Sequence, residues 1–117
     1  RGEAVGGFEP YTLDQIQATI EAAEAEGAPV ILQFWSEVIE TWGFPALSAV
    51  ARELAARARI PVGIHLDHAT DEDLIQNALA FGFTSVMFDG SRLGANQQAT
   101  GRGISVVRKG NLVWLIH

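Results

Sequence analysis

Apolar and polar positions follow two alternating periods along the first 88 residues, and this alternation predicts strands and helices in turn. Between the strands, apolar residues recur at steps of three and four, which predicts three helices that begin near Thr12, Pro45 and Thr70. Continuous apolar runs, typical of strands in a buried parallel sheet, occupy residues 4–8, 29–34, 60–66 and 83–88.

Local capping signals support the first and third of these helices. Thr12 is followed three residues later by Gln15, and Thr70 is followed three residues later by Asp73, so both pairs match a capping box. Gly27 follows the first helical stripe, at a position where glycine commonly ends a helix. We therefore expect each of these two helices to begin at its threonine.

Three strand-helix units follow one another with short connections. This repetition predicts an α/β fold with a parallel sheet and right-handed crossovers, as in a barrel or an open doubly wound sheet. The chain has 117 residues, which is about half the length of a complete eight-stranded α/β barrel. We therefore expect one domain, or a piece of one.

Residues 94–117 follow a different pattern from the rest. Residues 94–103 lack helical periodicity, whereas 104–107 and 112–116 are apolar runs on either side of the turn-forming segment 109–111. A β-hairpin is the interpretation that we favour slightly. In the alternative, residues 112–116 form a fifth parallel strand that follows a poorly coded helix.

Charge divides the chain at the same region. The net charge is −6, yet all 14 acidic residues lie at or before Asp89, so residues 1–89 carry −10 and the last 28 residues carry +4. The negative total argues against nucleic-acid binding, and the apolar runs are too short to span a membrane.

Cysteine is absent, so any metal must be bound by His, Asp, Glu or water. We expect a cytoplasmic protein, and the start at Arg1 suggests a processed product or an excised fragment.

The segment His65-Leu66-Asp67-His68 places three titratable side chains where the third strand ends. Function gathers at the carboxyl ends of parallel strands, and Asp89 ends the fourth strand in the same way. Strict alternation points Asp67 and His68 to opposite sides, so they share a site only if extended geometry breaks near Asp67. In the simpler alternative, these side chains are hydrogen-bonded structural residues or turn and cap formers.

Five segments together resemble class II fructose- or tagatose-bisphosphate aldolases, and the resemblance covers the N-terminal half of that family. The segments that carry it are residues 4–8, 13–18, 21–33, 65–71 and 82–91. It implies a partial TIM-type (β/α) barrel of about four βα units, with an atypical C-terminal hairpin or fifth strand. We accordingly divide the chain into a half-barrel, residues 1–93, and a divergent tail, residues 94–117.

The resemblance also implies chemistry. In the family, zinc or another divalent cation polarises a ketose carbonyl while a ketose bisphosphate is cleaved to dihydroxyacetone phosphate and an aldehyde, glyceraldehyde 3-phosphate. His68 matches a metal ligand, Asp67 matches the acid/base, and Asp89 matches a metal-site carboxylate that can contact an alternative position of the ion. His65 belongs to the motif but is not carried over as a ligand. The implied partners are a phosphorylated sugar and further copies of the chain, with no nucleic acid and no membrane.

Two positions depart from the family pattern: Glu9 stands where asparagine is usual, and Trp35 where a substrate-contacting serine is usual. The two remaining histidine ligands and the phosphate-binding loops belong to the second half of the family's barrel. We therefore expect little turnover from the isolated chain. A non-catalytic half-barrel that associates through exposed sheet edges is the alternative, and another phosphosugar barrel enzyme would explain the fold but not the motifs.

Overall fold

A computed structural model describes residues 4–89, together with the strand backbones of 105–109 and 112–116. Strands and helices alternate through the first of these ranges, which confirms the α/β fold class. In chain order, the elements are β1 Gly6–Phe8, α1 Leu13–Glu26, β2 Val30–Phe34, α2 Ser36–Trp42, α3 Phe44–Arg57, β3 Val62–Ala69, α4 Glu72–Ala80, β4 Ser85–Phe88, β5 Ser105–Lys109 and β6 Leu112–Ile116.

The strands form one sheet in the order β1-β2-β3-β4-β6-β5. The first five in that order are parallel, as in part of a barrel, and β5 is antiparallel to β6. Strand β6 therefore pairs with β5 as the hairpin interpretation predicts and with β4 as a fifth parallel strand would, whereas the helix of the alternative would fall in residues 94–104, outside those that the structure describes. The turn at 110–111 and the proposed boundary at 93 lie outside the described residues, so the domain division stays a prediction.

Helix α1 forms as its capping residues predict. The Thr12 hydroxyl accepts a hydrogen bond from the Gln15 backbone N–H at 3.4 Å, and Gly27 ends the helix with a φ of 62°. Ile16 and Ile20 from its apolar stripe are buried. The amphipathic pattern therefore directs α1 onto the sheet.

The helix predictions need two corrections: the cap of α4 was misplaced by one residue, and α2 was missed. Asp71, and not Thr70, caps α4: its Oδ1 accepts a hydrogen bond from the Leu74 backbone N–H at 2.7 Å. The cap lies one residue later because β3 continues to Ala69, beyond the predicted end at residue 66. Helix α2, which spans seven residues, was not predicted, since it is too short to show a helical stripe.

The core lies between the helices and one face of the sheet. Its strand residues are Leu32, Phe34, Ile64, Leu66, Ala69 and Val86, and all six are 3% exposed or less. Residues between them on the strands point to the opposite face, because successive side chains of a strand alternate. That opposite face carries polar side chains and forms the setting of the candidate site.

Strand β1 lies at one edge of the sheet and pairs with β2 alone among the described strands. Phe8 is 57% exposed there, and Val5 beside it is also exposed. A largely apolar groove of about 550 Å³ runs between this edge and α1, with Phe8, Ala18, Ala22 and Val30 among its lining residues.

Within the described residues, no helix has the length and apolar character needed to cross a membrane.

Candidate metal centre at the carboxyl end of the sheet

An irregularity in β3 shapes the candidate site. Residue 66 of β3 pairs with residue 86 of β4, but the next pair joins residues 69 and 88. Three steps along β3 therefore match two steps along β4, so β3 contains one extra residue, as in a β-bulge. The residues inside the irregular stretch are Asp67 and His68.

Strict alternation would point Asp67 and His68 to opposite sides of the sheet, and the irregularity allows them to share one side. Leu66 and Ala69 are both fully buried in the core although they are three residues apart, so the two residues between them lie outside the core. His68 adopts a φ of 49°, the left-handed region that L-residues other than Asn, Asp and His rarely occupy. That conformation costs about 1–2 kcal/mol, and such strain concentrates at functional sites.

His68 lies between the two predicted carboxylates. Its Nδ1 is 2.9 Å from Asp89 Oδ2, a hydrogen-bond distance, and its Nε2 is 3.8 Å from Asp67 Oδ2. The His68 side chain is 58% exposed, whereas those of Asp67 and Asp89 are mostly covered. The structure thus brings the three residues that the sequence singled out to one open rim.

The rim is strongly acidic, and this shifts the pKa of its imidazole. The hydrogen bond to Asp89 is the largest cause and raises the pKa of His68; burial opposes it, and the negative charges of Asp67, Asp89 and Glu9 raise the pKa further. The neutral imidazole, which is the form of histidine that binds metals in proteins, is therefore disfavoured at His68.

Two further residues contact the site: His65, which belongs to the motif but was given no role, and Ser85, which was not predicted. His65 is buried on the polar face; its Nδ1 is 2.7 Å from Ser85 Oγ and its Nε2 is 3.7 Å from Asp67 Oδ1. Burial lowers the pKa of His65, against the opposing charge of Asp67. The alternation of β3 was the available signal, since it puts His65 on the same face as Asp67. The pairing with Ser85 depends on β4 and has no local signal.

The two positions that depart from the family pattern lie at the same end of the sheet. Glu9 follows β1, is exposed, and lies beside Asp67: a hydrogen bond between the two carboxyl groups raises the pKa of Glu9, as do burial and the charge of Asp67. Trp35 follows β2 and packs against the core. Its indole Nε1 is buried without a hydrogen-bond partner in the described part of the chain. Glu9 therefore borders the rim, whereas Trp35 lies after β2 against the core.

The donor set fits a divalent cation in type but not in number. A metal-bound histidine commonly uses one ring nitrogen for the metal and donates the other N–H to a carboxylate, and His68 with Asp89 matches this pattern. Catalytic zinc sites normally use three protein ligands. Among the described residues, no group of three or more His, Asp or Glu side chains is arranged to bind a metal. A complete site needs ligands beyond these.

Comparison with known proteins decides the family. The sequence model of the class-II fructose-bisphosphate aldolase family matches residues 1–111. The chain belongs to this family. A sulfofructosephosphate aldolase from Alkalicoccus urumqiensis is 36% identical over 98 residues, covering 84% of this chain and 34% of that protein. A fructose-bisphosphate aldolase from Thermus caldophilus is 43% identical over 90 residues, covering 77% of this chain and 29% of that protein.

The fold comparison agrees. The crystal structure of the YdjI aldolase from Escherichia coli K12 superposes with a TM-score of 0.75 at 29% identity, covering 80% of this chain and 36% of that chain. The predicted family and the partial-barrel architecture are therefore confirmed. The chain spans about a third of the length of the relatives that it matches.

Proposed function

We propose that this chain supplies one part of the active site of a metal-dependent aldolase, in which Asp67 is the acid/base and His68 is a metal ligand. The observation that carries the proposal is the irregularity in β3, which turns Asp67 and His68 to one rim beside Asp89. The family is named for aldol cleavage of fructose bisphosphate, a phosphorylated ketose. Strain at His68 in a family member is better explained by a role in that chemistry than by the fold alone.

The proposed reaction is the reversible cleavage of fructose- or tagatose-1,6-bisphosphate to dihydroxyacetone phosphate and glyceraldehyde 3-phosphate. A bound zinc ion or similar divalent cation would polarise the ketose carbonyl and favour the charge that develops when the carbon-carbon bond breaks. Asp67 would accept the proton of the substrate hydroxyl that becomes the aldehyde and would return it during synthesis. Its mostly covered carboxylate is oriented toward His68 and is therefore close to where a cation would bind.

Asp89 has a more specific proposed role than the sequence indicates. The family resemblance makes it a carboxylate near the metal. The hydrogen bond between Asp89 Oδ2 and His68 Nδ1 supports a role in orienting His68, so that the Nε2 atom is left for the cation. Replacement of Asp89 by asparagine should accordingly weaken cation binding less than removal of the His68 imidazole.

Zinc titration of the purified chain by calorimetry tests the metal site. We expect weak binding that His68→Ala abolishes, because the described residues provide one exposed imidazole beside two carboxylates. His117→Ala is the matched control, since it removes a histidine that does not match a family ligand, and it should leave the affinity unchanged. Equal zinc affinity in the His68→Ala variant would contradict the proposal.

An aldolase assay tests the reaction. We expect little turnover from the 117-residue chain with added zinc, because three protein ligands are normally required. In a protein that carries the complete barrel, Asp67→Ala should abolish cleavage, and chelation of the metal should do the same. Fructose- and tagatose-1,6-bisphosphate and sulfofructose phosphate should be compared as substrates, since a relative is named for the last of these. Unchanged cleavage by the Asp67→Ala variant would refute the role of Asp67.

The exposed edge at β1 favours a second candidate function, a half-barrel that associates with another copy of itself. Phe8 and the apolar groove beside α1 form a surface that a further strand or helix could cover. The acidic region 1–89 and the basic tail provide complementary charge for such a contact. Light scattering should then show a dimer that Phe8→Glu dissociates and that Glu53→Gln on α3 does not. A monomer at all concentrations would exclude this candidate.

A further inference from the structure

His65 occupies an unusual place for a histidine. Its residue is only 9% exposed, and it lies in the middle of β3 on the polar face of the sheet. A buried polar side chain needs hydrogen-bond partners, because otherwise it loses the hydration that it has in the unfolded chain. Both ring nitrogens have a polar neighbour: Nδ1 lies 2.7 Å from Ser85 Oγ and Nε2 lies 3.7 Å from Asp67 Oδ1.

Strand pairing fixes the contact between His65 and Ser85. The two residues are direct cross-strand partners in the β3–β4 register, one pair before the irregular stretch. Thr84 fixes the start of β4 further, because its hydroxyl accepts a hydrogen bond from the Ile64 N–H and donates one to the Ile64 carbonyl. Ser85 is therefore held against the imidazole by the backbone as well as by its own hydroxyl.

Ser85 and Asp67 together select one tautomer of His65. A neutral imidazole has one N–H donor and one acceptor nitrogen. If the Ser85 hydroxyl donates to Nδ1, then Nε2 carries the proton and faces the Asp67 carboxylate. In the reverse arrangement, a nitrogen lone pair would face a carboxylate oxygen, which is repulsive. At 3.7 Å the attraction is electrostatic, or one water molecule bridges the two groups.

The Asp67 carboxylate lies between two imidazoles. Oδ1 is directed to His65 and Oδ2 is 3.8 Å from His68 Nε2. We propose that Ser85 and His65 form a positioning pair that holds the Asp67 carboxylate in the rotamer directed toward His68. The role is one of orientation, and it rests on the proposed function for its catalytic meaning, since Asp67 is the proposed acid/base.

NMR spectroscopy of the full 117-residue chain tests the positioning directly. In the unmodified chain we expect His65 to show one tautomer, with the proton on Nε2, and Asp67 to show one χ1 rotamer by scalar couplings. Ser85→Ala should cause tautomer mixing at His65 and rotamer averaging at Asp67. Ser85→Thr keeps the hydroxyl and should restore both signals. An unchanged Asp67 rotamer in the Ser85→Ala variant would overturn the proposal.

Ser48→Ala is the matched control. Ser48 is likewise a serine whose hydroxyl makes a hydrogen bond, but its partner is the Pro45 carbonyl and the bond is made within α3. Its replacement should change stability without changing the tautomer of His65 or the rotamer of Asp67. If Ser48→Ala changes these signals as strongly as Ser85→Ala does, the effect is a general loss of rigidity and the positioning role is wrong.

Zinc titration separates failure of this inference from failure of the proposed function. If the chain binds zinc, Ser85→Ala should weaken binding, because it releases the Asp67 carboxylate beside His68, but by less than His68→Ala does, because the ligand itself remains. Unchanged zinc affinity would overturn the positioning role. If the unmodified chain does not bind zinc, the proposed metal site fails, and the Asp67 rotamer still decides whether Ser85 and His65 position that carboxylate.

Discussion

The two faces of β3 carry residues with opposite tasks. Ile64 and Leu66 point to the helices and are buried in the core, whereas His65 and Asp67, on the same strand, point to the polar face. The first pair is stabilised by removal of apolar surface from water, and the second by specific hydrogen bonds and charges. A change on the helix-facing side should therefore cost the fold, and a change on the other side should mainly cost the site.

The largest expected effect comes from Leu66→Ala on the helix-facing side. Leu66 is fully buried, so its truncation should lower the free energy of unfolding by about 2–5 kcal/mol. The measurement is urea unfolding followed by circular dichroism. His68→Ala, two residues further along and mostly exposed, is the control and should cost far less. Similar losses in the two variants would break the distinction between the faces.

Asp71 is a polar residue at the same end of the sheet, and its replacement should lower the stability of the fold without changing zinc affinity. Asp71→Ala removes the α4 cap and should lower the free energy of unfolding by about 1 kcal/mol. Thr70→Ala is its control and should have a smaller effect, because Thr70 is not the capping residue. Zinc affinity should be the same in both variants. A larger loss for Thr70→Ala in urea unfolding would restore the capping pattern that the sequence predicts.

At His68, the residue that the proposed metal site requires is not the residue that suits the backbone conformation best. Glycine adopts a φ of 49° without the penalty that a Cβ atom brings, so His68→Gly should be more stable than His68→Ala by about 0.5–1 kcal/mol. Both variants lack the imidazole and should lose zinc binding. Thermal unfolding of the pair gives the comparison. Higher stability of the alanine variant would show that the backbone at this position is not strained.

The smallest expected effect is on the pH dependence of stability. Burial lowers the pKa of His65, so the unfolded chain binds a proton more readily, and stability should fall as pH drops below about 6.5. His68 has the opposite sign: its pKa is raised, so its contribution is present below about 6.5 and is lost as pH rises through the raised value. Urea midpoints of His68→Gln from pH 8 to pH 5 should therefore fall more steeply than those of the unmodified chain. A shallower fall would contradict this assignment.

Local signals were sufficient for the helix that begins after β1. Thr12, Gln15 and Gly27 determine the ends of α1 through contacts within a few residues, and the structure has the helix where they place it. At α4 the same kind of signal failed by one residue. Thr70 and Asp71 are both good caps, and the choice depends on how far β3 continues against β4.

The residues proposed for the site could be named from the sequence, whereas their relative geometry could not. The motif around Asp67 and His68 identified the residues, but alternation alone left them on opposite sides. The extra residue that brings them together is defined by pairing with β4, which is some 20 residues away in sequence. For the same reason, Ser85 could not be joined to His65 from the sequence, because cross-strand register is a tertiary property.

The geometry of the candidate site depends on the register between β3 and β4. Ser85 faces His65 and Asp89 faces His68 only while β4 keeps its present alignment with β3, so a slip by one residue would separate both pairs together. A ligand bound at the rim would therefore require this alignment, and its binding free energy would stabilise the pairing of β3 with β4. Amide protons of β4 should exchange with solvent more slowly when the rim is occupied, even though those amides touch no ligand.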